Sequence, residues 1–510
     1  MGSASGNVDH TTAKFHFLHN RRLVLTVLIL TQAYICFGYD AAIIGGVLAM
    51  PAFVNRFGVE QPDGTKILTA SRVSVITATR TSASIPAVFA CQYLGNKWGR
   101  KRTIWFGCAT CLLGTALQTG SVEEVMLTLG LTVANFGYFV MVSMASTLII
   151  ELSPPSIGLM GVLSAGISWG TFHYKSEFSF RMPLGLQNLF PITMAVSMFY
   201  VMDSPTSYLI VGDDTNALKS LRRVRHGYSS DEIAAEMETL KWQNQLRKDC
   251  DDVKWFEIFQ GTNLRRTILG TFLAVIQNLS GGIFAGNYAT IFLSQVGTAN
   301  PFVLVFGLNI LILGGAVVGL FLVDTLGRRR LLLLSFLLLG SIDLAIGGLG
   351  FADATNPAVI QAIAALSLLF GFINAAGLGP LIWLLAAELP TARLRNITNA
   401  WILLCISLSA LTVAYVVPYI ANADAGNLGP KTYLIFAFFM GLGLLVTGIW
   451  WPETKGRTPA ELDEMFTARL PAREFPKHRS MLNQENIMTE KARLGGVTSI
   501  EEVDDISTRV

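Results

Sequence analysis

An aspartate stands near the end of a long apolar run. Asp40, in CFGYDAAIIGG (36–46), closes a stretch that starts at Leu23 and lies eighteen residues beyond Arg22. At ~1.5 Å per helical residue that is about 27 Å along a helix, in the outer half of a bilayer-crossing segment. An ionised side chain costs about 2.5 to 3.5 kcal/mol at the centre of a span and less towards the interface, so it needs a wet cavity or a partner. Arg80, sixteen residues before the basic loop that opens at Asn96, reaches a comparable depth, about 24 Å. A guanidinium can bind a carboxylate through two parallel hydrogen bonds and is itself costly to bury unpaired. The chemistry expected is a switch, with Arg80 holding Asp40 ionised until a proton or a solute competes. The alternatives are an Arg80 that lines an outer vestibule, and an Asp40 that contacts solute directly or has no role in a cycle. A second intramembrane acid, Asp343, has no partner that the sequence identifies.

No catalytic constellation accompanies these groups. The six histidines are scattered through tails and loops, with no metal-ligand spacing and no phosphate-cradling glycine loop. The expectation is a protein that is not an enzyme, takes no cofactor or metal and binds no nucleic acid.

The elements that must position the charges are apolar helices. Of 510 residues 52% are hydrophobic and only 14% charged, with a mean hydropathy of +0.49, too apolar for a soluble chain of this size. Crossing a hydrocarbon core of about 30 Å takes about 20 apolar residues. Twelve such runs recur, at about 23–49, 72–94, 103–120, 126–150, 157–172, 183–202, 267–294, 302–323, 331–352, 358–386, 397–420 and 432–451. The first lacks a small-residue cleavage site and reads as a retained span. Five of six cysteines fall inside these runs, which is no disulfide framework. NKWGRKR (96–102), GRRR (327–330) and ARLR (392–395) lie in alternate short loops. By the positive-inside rule these loops, both termini and 204–266 are expected in the cytoplasm.

The organisation follows from the spacing: a tail (1–22), six spans (23–203), a charged linker (204–266), six more spans (267–451) and a tail (452–510). In the linker SSDEIAAEMETLKWQNQL, with a Ser229-x-x-Glu232 start, predicts a surface helix. TPAELDEMF predicts another, with Pro459 at its first position. The halves also repeat. NKWGRK and DTLGRR each follow the second span of their half, ELSP at Glu151 and ELPT at Glu388 each follow the fourth, and DSPTSYL and PETKGR each follow the sixth. A duplicated six-helix unit places a solute path at the interface between repeats.

At these residues the sequence resembles the sugar porter family of the major facilitator superfamily. The resemblance rests on FGYD, the two Gly-Arg-basic loops, the two Glu-x-x-Pro or Glu-Leu-Pro turns, QNLSG, GLGPLIW and PETKGRTPAELDEMF, and covers about 23–475. Within the family, MPAFVNRFG and GNYATIFLSQVG resemble fungal members of the alpha-glucoside and hexose permease type. The resemblance implies an all-α membrane protein of two six-helix bundles that exposes a central site alternately to each side, with short cytoplasmic helices beneath. It implies Asp40 as the proton-coupling carboxylate, and cytoplasmic charge pairs Arg100 with Glu151 and Arg328 with Glu388. It implies substrate contacts at Phe37, Gln277, Asn278, Tyr288 and Trp383.

Departures bear on the substrate. The arginine expected in the fourth span is Leu131, which makes Arg80 the candidate cation. The amide positions of the fifth, seventh and eleventh spans hold Gly166 (or Ser168 if a gap is allowed), Ile283 and Ile406, with Asn287 as a possible compensation. Fewer amides suit a free hexose less and bring disaccharides, polyols and cyclic acids into range. The expectation is a monomeric proton-coupled importer of a sugar or polyol in the plasma membrane. A uniporter of a sugar, polyol or quinate-like compound and a non-transporting nutrient sensor are the alternatives.

Overall fold

The computed structural model describes residues 21–478 except 62–63, 65, 150–152, 202–204, 206–207, 210–211, 225–229, 250–254, 283, 285–300, 354–355, 392, 423, 458 and 477. Each of the twelve intervals anticipated as spans contains a helix. In the first half these are α1 (Arg21–Leu48), α3 (Ala70–Ser82) with α4 (Ser84–Trp98), α5 (Arg100–Thr119), α6 (Glu124–Ile149), α7 (Ser153–Thr171), and α8 (Phe178–Leu186) with α9 (Leu189–Ser197). In the second they are α12 (Gly261–Asn278), α13 (Pro301–Leu326), α14 (Arg328–Leu349), α15 (Pro357–Ala376) with α16 (Leu378–Glu388), α17 (Arg395–Ala421) and α18 (Tyr433–Trp450). Among the described residues, seven stretches are long and apolar enough to cross a membrane by length and composition alone. The linker forms α10 (Asp214–Val224) and the anticipated α11 (Ser230–Asp249), and the tail forms α19 (Pro459–Thr467). A short helix α2 (Pro51–Phe57) and a two-stranded hairpin, β1 (Val59–Glu60) paired antiparallel with β2 (Lys66–Ile67), follow the first span.

Four spans anticipated as continuous are interrupted: the seventh, expected over 267–294, closes at Asn278 ahead of Gly281, whose φ is 84°, and the other three break shortly before a proline. Pro86 has no N–H for the Ser82 carbonyl, so the second span closes at Ser82 and restarts at Ser84, where Ser84 Oγ donates to the Thr81 carbonyl at 2.8 Å. Pro191 likewise leaves the Gln187 carbonyl without a donor in the sixth span, and Pro380 leaves that of Ala376 in the tenth. Gln187 and Gly377 stand at the latter two breaks.

The duplication is visible in the backbone. Gly99 has φ 82° and ψ 168°, and Gly327 has φ 83° and ψ 168°. That region of conformational space is open to glycine and closed to other residues. Packing follows the repeat as well. α3 packs on α17 and α13 packs on α7, so the second span of each half meets the fifth of the other.

Candidate functional site

Asp40 is fully buried, and four other helices or joints of the first half supply its surroundings. From the last turn of α3, Arg80 Nη2 donates to Asp40 Oδ2. Asn135 of α6 places Nδ2 3.4 Å from the same oxygen. Gln187, at the joint between α8 and α9, places Nε2 3.4 Å from Oδ1, and Gln118 of α5 donates from Nε2 to Gln187 Oε1. Asn135, Gln187 and Gln118 are all buried. The cation anticipated from depth therefore stands at the carboxylate, but through Nη2 alone, and among the described residues the buried Arg80 Nε has no hydrogen-bond partner. Leu131, one turn before Asn135, is buried in the core. A carboxylate can only accept, and here it faces donors throughout. Asn135, Gln187 and Gln118 were not singled out from the sequence. Their only signal was amide side chains within apolar runs, which reads equally well as helix packing.

The helix that carries Arg80 also joins the two halves. Along α3, Ala70 N donates to Asp424 Oδ2 at 2.7 Å, Ser74 Oγ to the Tyr415 carbonyl at 2.9 Å and Thr77 Oγ1 to the Ala414 carbonyl at 3.1 Å. At the matching joint, Phe172 of α7 stacks on Phe302 of α13 with centroids 4.5 Å apart, and Trp169 lies 5.7 Å from Phe306. Both joints lie at the end of the molecule opposite Gly99 and Gly327.

The anticipated substrate residues separate. Gln277, near the end of α12, is half-buried, and among the described residues its carboxamide makes no hydrogen bond. Its neighbour Asn278 is buried and ties α12 to α17, donating to the Ile406 carbonyl at 3.0 Å and Ser409 Oγ at 2.6 Å. Trp383 is half-buried on α16, beyond the break at Gly377. Phe37 meets Phe139 edge to face at 5.8 Å. Asn287, Tyr288 and Glu151 lie outside the described residues. Where the fifth span lacks an amide, a Cβ on Gly166 would come within 3.2 Å of the Phe306 ring, and Ser168 is turned towards Gly46 of α1. Asn374 of α15 has a buried Oδ1 without a partner among the described residues and lies against Gly282. Asp343 is fully buried, and among the described residues neither of its oxygens has a partner.

At the Gly327 end, Arg328 reaches Glu388 as anticipated, with Nη2 and Nε 2.8 and 3.3 Å from Oε1. The arrangement is larger than the pair. Thr454 Oγ1 donates to Glu388 Oε2 at 2.8 Å, and Glu453 accepts from the backbone N–H groups of Arg328 and Arg329 at 2.9 and 3.1 Å, capping α14. Arg100 occupies the equivalent first turn of α5.

Two bundles related by repetition, hinged spans and a buried ion pair beside the interface define a membrane transporter of the major facilitator fold. A profile of the family described as "Sugar (and other) transporter" matches residues 25–466, and the chain belongs to that family, whose members are transporters and not enzymes. It is 25% identical over 498 residues to the General alpha-glucoside permease of Saccharomyces cerevisiae, covering 92% of this chain and 80% of the permease. It is 24% identical over 466 residues to the High glucose sensor RGT2 of the same species, covering 87% of this chain and 60% of the sensor. The proton:xylose symporter XylE of E. coli, solved with 6-bromo-6-deoxy-D-glucose bound, superposes with a TM-score of 0.70 at 16% identity, covering 87% of this chain and 98% of XylE.

Proposed function

We propose that the protein imports a sugar or related polyol with a proton across the plasma membrane, by alternating access, with both termini in the cytoplasm. The observation that carries the coupling is the buried Asp40–Arg80 pair. Binding a proton at Asp40 cancels the charge that holds Arg80. Arg80 ends the helix whose other residues join the halves, so the protonation state bears directly on one of the two joints. Gln277 supplies a free amide for solute hydroxyls and Trp383 a ring face, with Phe37, Asn287 and Tyr288 as further contacts. Asn278 acts here by fixing α12 on α17. Arg328 with Glu388, and Arg100 with Glu151, latch the cytoplasmic end. Partly exposed pairs of this kind contribute about 0 to 1 kcal/mol each, weak enough to release in every cycle.

The test is uptake of labelled hexoses, alpha-glucosides, polyols and quinate by transport-deficient cells, with and without a protonophore. The expected result is accumulation that the protonophore abolishes. Asp40→Asn should lose accumulation while retaining counterflow exchange. Uptake indifferent to the protonophore would mean facilitative uniport, and no uptake of any probe would favour the sensor.

A further inference from the structure

Gln187 and Gln118 lie in a line behind Asp40, and the direction of their hydrogen bonds is dictated by its charge. An ionised carboxylate has no proton to give, so Gln187 must turn its nitrogen towards Asp40 Oδ1. Its oxygen then faces Gln118, which must in turn present nitrogen. The far end of the chain is left as Gln118 Oε1, buried and, among the described residues, without a partner. A proton on Asp40 Oδ1 permits the reverse order: the carboxyl O–H donates to Gln187 Oε1 and Gln187 Nε2 donates to Gln118 Oε1. Both amides then turn over, and the idle end becomes a nitrogen.

The surroundings hold this line in place. Gly130 of α6 lets the two backbones close, since a Cβ there would come within 2.6 Å of the Gln118 nitrogen. Gln187 is the residue at the break in the sixth span. Thr115 of α5, one turn from Gln118, bonds to the next residue of that joint, Asn188, at 2.5 Å. The chain thus runs from the carboxylate to a helical joint gripped by α5.

Resting on the proton-coupled reading above, we propose that Gln187 and Gln118 are positioning residues for Asp40, a two-amide relay that carries its charge state from the first span to the joint of the sixth. The other titratable or charged groups around Asp40 are Cys36 on its own helix, Arg80 of α3, Cys111 of α5 and Tyr138 of α6.

The test needs no substrate. Infrared difference spectra of the purified full-length protein, titrated with acid, show the protonated carboxyl stretch of Asp40 as the band that Asp40→Asn removes. Gln187→Met deletes a charge-assisted donor to the ionised form and only a neutral acceptor to the protonated one, so the midpoint of that band should rise by about one pH unit. Gln118→Met should move it the same way by less, and should add nothing in the Gln187→Met background, because Gln118 acts through Gln187. A merely structural role would lower thermal stability and leave the midpoint where it was. An unmoved midpoint in Gln187→Met, or additive effects in the double variant, overturns the relay. If Asp40→Asn loses accumulation while Gln187→Met leaves the midpoint unmoved, the relay alone falls. If Asp40→Asn keeps accumulation or removes no band, both readings fall.

Discussion

At the scale of single residues, the cation opposite Asp40 comes from the second span and not the fourth. Deleting one partner of a buried pair costs about 3 to 5 kcal/mol, because the other charge is left uncompensated. Arg80→Gln should therefore abolish accumulation and lower the yield of folded protein, whereas Arg80→Lys should retain part of both. Leu131 is one turn from Asn135, which touches Asp40. The double variant Arg80→Gln/Leu131→Arg should consequently regain part of the accumulation lost in Arg80→Gln. Protonophore-sensitive uptake measures this, and a double variant no better than the single would show that the position of the cation matters as much as its charge.

At the scale of elements, the turns at Gly99 and Gly327 set how α5 and α14 begin. Gly327 is constrained twice over. Beyond its φ of 83°, a Cβ would meet Glu453 Oε2 at 2.9 Å, the carboxylate that caps α14. A residue forced into such a conformation costs about 1 to 3 kcal/mol, and displacing the cap adds about 1 kcal/mol. Gly327→Ala should thus lower the thermal midpoint of the detergent-solubilised protein more than Gly441→Ala, a helical glycine whose Cβ would meet nothing within 4 Å, as differential scanning fluorimetry would report. The breaks at Ser82–Ser84, Gln187 and Gly377 matter for a related reason. Each interrupts a helix beside a residue of the site: Arg80 and Gln187 at the first two, Trp383 beyond the third.

At the scale of the whole molecule, the two halves are pinned together at one end by two joints that the repeat makes equivalent. If alternating access operates, these joints must part in each cycle. Ala70 and Asp424 lie across one of them, with a backbone N–H to carboxylate bond of 2.7 Å. In the variant Ala70→Cys/Asp424→Cys, oxidation should stop transport and a reductant should restore it, with either single cysteine unaffected. Transport that survives complete cross-linking would show that this joint stays closed throughout the cycle.

Much of this protein was determined by its sequence alone. Twelve apolar runs fix a membrane-spanning helical chain, because the bilayer core admits only helices and closed barrels, and runs of about 20 residues without a two-residue alternation suit only helices. Basic loops and paired motifs give the duplication, and glycine at 99 and 327 is required by a backbone angle that the repeated motif already signals. Depth counted along two helices was enough to nominate Arg80 for Asp40, since rise per residue is a local property. Contacts between residues far apart in the chain are legible only in the folded molecule. Asn135, Gln187 and Gln118 converge on Asp40 from positions 95, 147 and 78 residues away, and nothing in local pattern separates an amide that serves a carboxylate from one that ties two helices together. Gln277 and Asn278 make the same point side by side: adjacent amides of like chemistry, one bonded to α17 and the other to none of the described residues, according to which side of the helix each leaves from.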